Sequence, residues 1–111
     1  MSNPQRAKGT AWESLLVPLL RAVWPSTNRA PLWGAADRGD FTGTGPFCFE
    51  AKAHKAIDLA GFMDQAVAEA SHSGARWPVV LVKRRNKPPS KGYAVMEIAT
   101  FLELVSEGRA S

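Results

Sequence analysis

Three acidic residues and a lysine fall close together in residues 36–52, ADRGDFTGTGPFCFEAK: Asp37, Asp40, Glu50 and Lys52. Two carboxylates held together without a cation repel and raise each other's pKa. A hard cation such as Mg²⁺ resolves that conflict, because it binds one or two carboxylates and retains several waters. Beside a phosphodiester such an ion polarises a phosphoryl oxygen and lowers the pKa of a bound water. A lysine on the same face can orient the attacking water or stabilise charge developing on the phosphate. Asp40, Glu50 and Lys52 therefore suit metal-assisted hydrolysis of a polyanion.

The elements around these residues must bring them together. Phe47-Cys48-Phe49-Glu50-Ala51-Lys52 alternates as a strand does, so Glu50 and Lys52 share one face with Cys48, and Phe47, Phe49 and Ala51 share the other. Residues 40–42 form a shorter strand before the turn Gly43-Thr44-Gly45-Pro46, and the two segments are expected to pair as a hairpin. A first strand is expected over residues 29–34. Trp12, Leu15, Leu16, Leu19, Leu20 and Val23 form an apolar stripe over residues 10–23, which predicts a first helix with a bend at Pro18. Asp58 caps a second helix with the stripe Leu59, Phe62, Met63, Ala66, Val67 and Ala70, and Gly74 closes it. A buried strand at 78–82, a basic loop at 83–91, a return strand at 93–98 and a terminal helix at 100–105 complete the chain. The expected order is α-β-β-β-α-β-β-α, an α/β fold with a mixed sheet flanked by helices. Residues 1–8 are expected to be a flexible basic arm, 9–106 a single domain and 107–111 a flexible tail.

Each candidate also has a plainer reading. Thr10-Ala11-Trp12-Glu13 has capping-box form, which by itself accounts for Glu13. Asp37 suits the turn before Gly39. Gln65, on the polar edge of the second helix, suits a solvated position, as His54 does beyond Lys52. Cys48 lacks an acid–base partner nearby and suits packing, and the tryptophans suit the core. Asp40, Glu50 and Lys52 could form a surface ion-pair cluster worth little, but the aromatics on the opposite face argue for a buried strand.

With 14 Lys and Arg against 10 Asp and Glu, the net charge is +4 and the pI is about 9.6. That balance favours an anionic partner, nucleic acid foremost. The run at 83–91 holds Lys83, Arg84, Arg85, Lys87 and Lys91 with no acid among them. Such a loop suits phosphate contacts, which position DNA without reading its sequence. Lys8 and Arg38 extend the same expectation. One cysteine excludes an internal disulfide framework and a multi-cysteine zinc site, and points to a reducing cytoplasm. No apolar run reaches the roughly 20 residues of a membrane span, and no signal-peptide pattern opens the chain.

Asp40 followed by Glu50-Ala51-Lys52 on a strand resembles the PD-(D/E)XK nuclease signature. With Lys8-Gly9 and Glu13 ahead of it and the second helix behind, the chain is similar over residues 8–85 to the small phage and archaeal Holliday-junction resolvases of that superfamily. Gly39 departs from the proline that often precedes the aspartate. The resemblance implies a restriction-endonuclease-like fold, with Asp40, Glu50 and Glu13 holding Mg²⁺ (Mn²⁺ able to substitute) and Lys52 catalytic. Gln65 and Asp37 would be accessory. It also implies a homodimer cutting branched DNA in a bacterial, phage-infected or archaeal cytoplasm. A flap, nick or linear duplex is the alternative target, and a non-catalytic DNA-binding protein the alternative class.

Overall fold

Alternation across residues 47–52 sends Phe49 and Ala51 to one side of a sheet and Glu50 to the other, and two layers of packing follow from it. The computed structural model describes residues 4–31 and 38–110, with side chains between residues 9 and 108 of those spans. The chain runs α1 (Pro4–Arg21), β1 (Asn28–Arg29), β2 (Phe41–Thr42), β3 (Phe47–Lys52), α2 (Leu59–Ser73), β4 (Trp77–Val82), β5 (Tyr93–Val95) and α3 (Ile98–Ala110). A 3-10 turn, Pro89–Lys91, precedes β5. Two small sheets result: β1 pairs antiparallel with β2, while β3 pairs parallel with β4 and β4 antiparallel with β5.

The parallel β3–β4 pair is joined through α2, as a parallel connection requires. β4 is the central strand, and its valines divide between two cores. Val79 joins Trp12, Leu16, Leu20, Phe41, Phe49 and Ala51 beneath α1. Val80 and Val82, opposite Glu50 and Lys52 in the register, join Phe62, Met63 and Ala66 beneath α2. Trp12 ties α1 to the sheet, its indole Nε1 donating to the Leu81 carbonyl at 3.0 Å.

Several boundaries depart from the expectations. α1 starts at Pro4, where a missing N–H costs nothing, so residues 4–8 are helical and Thr10 lies inside the helix. The capping box therefore does not form. The helix continues through Pro18, and Leu15, Leu19 and Val23 are exposed. Residues 40–42 and 47–52 do not form the expected ladder: β2 pairs with β1, and β3 with β4. The turn explains this. Gly43 and Gly45 both take positive φ (76° and 58°), and Thr44 Oγ1 donates to the Phe47 carbonyl at 2.9 Å. The Pro46 carbonyl then accepts from the backbone N–H groups of Arg76 and Trp77, which starts β3 beside β4. The strand expected over 29–34 is two residues long where described, and residues 32–37 lie outside the described residues.

α2 follows its sequence signals closely. Asp58 Oδ1 accepts from the Gly61 N–H at 3.0 Å, and Gly74 takes the left-handed conformation at φ 75°. β5 stops at Val95, and α3 extends from Ile98 to Ala110 rather than over 100–105, so residues 107–110 of the expected tail are helical. Arg76 pairs with Glu103 and Glu107 and anchors α3 to the end of α2. Among the described residues no helix is long and apolar enough to cross a membrane.

Trp12→Ala should destabilise the fold by about 3–5 kcal/mol, and Trp12→Phe by about 1–3 kcal/mol through loss of the Leu81 bond. Urea unfolding followed by circular dichroism measures both. No measurable cost for Trp12→Phe would show that the hydrogen bond contributes nothing.

Candidate functional site

Gln65, Phe62 and Glu69 recur on α2 at a spacing of three and four residues, so they share one helix face. That face lies on the β3 residues of matching parity, Glu50 and Lys52. Glu50 is 4% exposed and Glu69 is 3% exposed. The Gln65 amide links the cluster: Nε2 donates to Glu50 Oε1 at 3.0 Å and to Glu69 Oε1 at 2.9 Å, while Oε1 accepts from Lys52 Nζ at 2.7 Å. Charge fixes which way this amide points, its NH₂ toward the carboxylates and its oxygen toward the ammonium. Lys52 Nζ also lies 3.2 Å from Glu50 Oε1 and 5.4 Å from the Phe62 ring centroid.

Asp40 reaches the same strand by way of its backbone. Its carbonyl accepts from the Ala30 N–H at 2.8 Å, and its N–H donates to the Phe49 carbonyl at 3.0 Å. The side chain then takes the next β3 donor, with Asp40 Oδ2 accepting from the Ala51 N–H at 2.7 Å. A carboxylate thus stands in for a ladder carbonyl at the junction of the two sheets, beside Glu50.

Three carboxylates consequently face one ammonium in a water-poor setting. The Glu50 pKa is pushed up from 4.5 to about 10, first by burial, then by its hydrogen-bonded contact with the Glu69 carboxyl and by the charges of Asp40 and Glu69. Lys52 pulls the other way and is outweighed. Glu50 Oε2 is buried and receives no hydrogen bond from the described residues. A neutral Glu50 sharing a proton with Glu69 is the state this environment favours when no further cation is present.

Asp40, Glu50 and Lys52 are therefore brought together, and Gln65, though exposed as expected, also hydrogen-bonds to Glu50 and Lys52. Glu13 is held elsewhere: its Oε1 lies 3.2 Å from Arg29 Nε, tying α1 to β1. Lys83, Arg84, Arg85, Lys87 and Lys91 are all exposed after β4. Arg38 is exposed, and its carbonyl accepts from Cys48 Sγ at 3.5 Å. Asp37 and the Lys8 side chain lie outside the described residues. His54 is exposed, with its ring centroid 5.1 Å from that of Phe62.

Glu69 is the residue that sequence reasoning missed. The expected α2 stripe included Leu59 and Val67, which are 47% and 39% exposed, so the buried face is rotated toward Glu69. Its position seven residues after Phe62 and three after Ala66 was the available signal. Among the described residues no group of three His, Cys, Asp or Glu side chains is spaced to hold a metal ion. Carboxylates with an orphaned buried oxygen are nonetheless the oxygen donors that a hard cation takes.

Comparison of the chain with protein-family models, with curated protein sequences and with solved structures returned no match. The site's own chemistry therefore carries the functional argument.

A raised Glu50 pKa has a fixed sign for stability. Between about pH 4.5 and about pH 10 the folded chain holds a proton that the unfolded chain has released, so this contribution, full below 4.5, is lost as pH rises toward 10. Glu50→Gln removes the titration and should flatten the decline in melting temperature on the alkaline side. Thermal melts across that range in metal-free buffer measure it. Parallel curves for the variant and the unaltered protein would refute the assignment.

Proposed function

We propose that this protein is a metal-dependent endodeoxyribonuclease, and the observation that carries the reading is the charge balance around Glu50. At Glu50, burial and the charges of Asp40 and Glu69 outweigh Lys52, and among the described residues the buried Oε2 receives no hydrogen bond. Asp40 and Glu50 would hold Mg²⁺ or Mn²⁺, which when bound supplies the missing charge, polarises a phosphoryl oxygen and acidifies a water. The chain's own groups do the rest. Asp40 is fixed by the Ala51 N–H, so its carboxylate is oriented before any cation arrives. Gln65 holds Lys52 and Glu50 in one register. Lys52, held beside Glu50 and Gln65, would be the chain's own cation for a phosphate oxygen or the attacking water.

The Asp40 and Glu50-Ala51-Lys52 pattern resembles the PD-(D/E)XK signature, and a mixed α/β fold with an α2 crossover between parallel strands agrees with a restriction-endonuclease-like arrangement. Branched DNA as substrate and a homodimer as the working form, with Glu13 as an added ligand, follow from that resemblance. One observation favours a second reading. Glu50 and Lys52 are nearly enclosed, with side chains 5% and 12% exposed, as they would be in a DNA-binding protein whose acids are structural.

Cleavage assays separate these readings. With Mg²⁺, the unaltered protein should cut a labelled four-way junction, and EDTA should abolish cutting. Asp40→Asn and Lys52→Ala should each slow it at least about a hundredfold. Wild-type rates in Asp40→Asn would sink the mechanism. Equal cutting of junction and linear duplex would keep the nuclease and remove the junction preference. DNA binding without any cutting would establish the structural alternative.

A further inference from the structure

The carboxyl ends of β3 and β4 open onto a groove of about 690 Å³ that the carboxylate cluster does not account for. Val82, Ile57 and Leu59 make part of it apolar, and the latter two are 51% and 47% exposed. Lys55, Lys83, Arg84 and Arg85 edge it, and among the described residues no carboxylate lines it. Tyr93 closes one wall. It is 53% exposed, and the Arg84 guanidinium carbon stands 5.9 Å from its ring centroid.

Positive charge alone would suit the phosphates of any nucleic acid, but those contacts leave an apolar floor uncovered. An apolar surface with a cationic rim matches a ligand that is apolar in the middle and anionic at its ends. An unpaired nucleotide within a strand has that form: a flat base with phosphodiesters on either side. Single-strand sites combine these parts, an aromatic or arginine surface for the base and a basic track for the backbone. A paired base has both faces stacked and cannot reach the floor.

We propose that this groove binds an unpaired nucleotide of a DNA strand, its base on Tyr93 and Arg84 and its flanking phosphates on Lys83 and Arg85. The site adjoins the carboxylate cluster. His54 lines the groove two residues beyond Lys52, and its ring rests against Phe62, the same ring over which Lys52 Nζ stands. The inference rests on the nuclease reading for its direction, since a strand lying in the groove leads to Asp40, Glu50 and Lys52. It deepens that reading by naming the substrate class as DNA that exposes unpaired nucleotides, as at a flap, gap or opened branch.

Binding in EDTA tests the groove apart from catalysis. Dye-labelled oligothymidine, an abasic strand of equal length and polyglutamate are titrated against the full chain. Oligothymidine should bind roughly tenfold or more tightly than the abasic strand. Tyr93→Ala should remove most of that advantage, Tyr93→Phe should keep it, and neither should alter abasic binding. A strand carrying 2-aminopurine should be quenched on binding to the unaltered protein. Equal affinity for thymidine and abasic strands, no effect of Tyr93→Ala, or polyglutamate binding as tight as oligothymidine would each overturn the proposal; the last would point to an acidic peptide. Base-dependent binding without cleavage in Mg²⁺ would support the groove and remove the nuclease. Cleavage of linear duplex with no base-dependent binding would do the reverse.

Discussion

Burial and neighbouring negative charge oppose ionisation of Glu50 more than Lys52 favours it, and the structure around Glu50 is built on that imbalance. Burial alone would oppose a charged Glu50. Adding Glu69 from α2 and Asp40 from the junction of the sheets raises the cost. Gln65 is the one neutral group that can serve both signs, since its amide has donors for the carboxylates and an acceptor for Lys52. Two stable outcomes exist for such a cluster: a retained proton or a bound cation. The first is a resting state that tolerates burial; the second is what the nuclease reading uses.

Parallel pairing of β3 with β4 places this cluster where it is. The crossover through α2 lays one helix face over Glu50 and Lys52, while α1 covers Phe49, Ala51 and Val79. β4 must be apolar on both faces to sit between these layers, and WPVVLV meets that demand. Both strands then end at the same edge, where backbone leaves the sheet and a ligand can approach. In open α/β sheets that edge is the usual place for binding. Lys83, Arg84 and Arg85 continue directly from β4 there, so cationic charge is delivered by chain connectivity rather than by a separate element.

Local signals in the sequence translated directly wherever one residue's chemistry decided the outcome. Asp58 and Gly74 bound α2 because a carboxylate acceptor and a left-handed glycine act within one turn. β3 has its expected limits because its alternation is unbroken. Features that depend on distant partners were less legible. Thr10 and Glu13 match a capping box, yet α1 starts at Pro4, and Glu13 pairs with Arg29 across sixteen residues. The expected hairpin gave way because the turn at Gly43–Pro46 and the Pro46 carbonyl direct β3 toward β4. Glu69 lay outside the expected α2 stripe, and acids on amphipathic helices are usually solvated. Its burial makes sense only beside Glu50 and Gln65, which sit 19 and four residues away in the chain.

A buried, charge-mismatched cluster contradicts the rules that otherwise govern this sequence. A hydrophobic replacement of Glu50 and Glu69 would extend the Phe62–Val80–Val82 core without the desolvation penalty. Places where a local rule is broken while its surroundings obey it tend to be functional sites. The case is stronger because the breach adjoins a second departure, an exposed apolar groove edged by cations. Each departure is unfavourable in the isolated chain, and under the proposed function each would be relieved by one part of the same ligand. In the proposed reading a cation would offset the carboxylates, a base would cover the apolar floor, and phosphodiester charge would join the cation to the basic rim. A DNA strand with an unpaired nucleotide and a metal ion, the proposed ligand, would meet both demands at once.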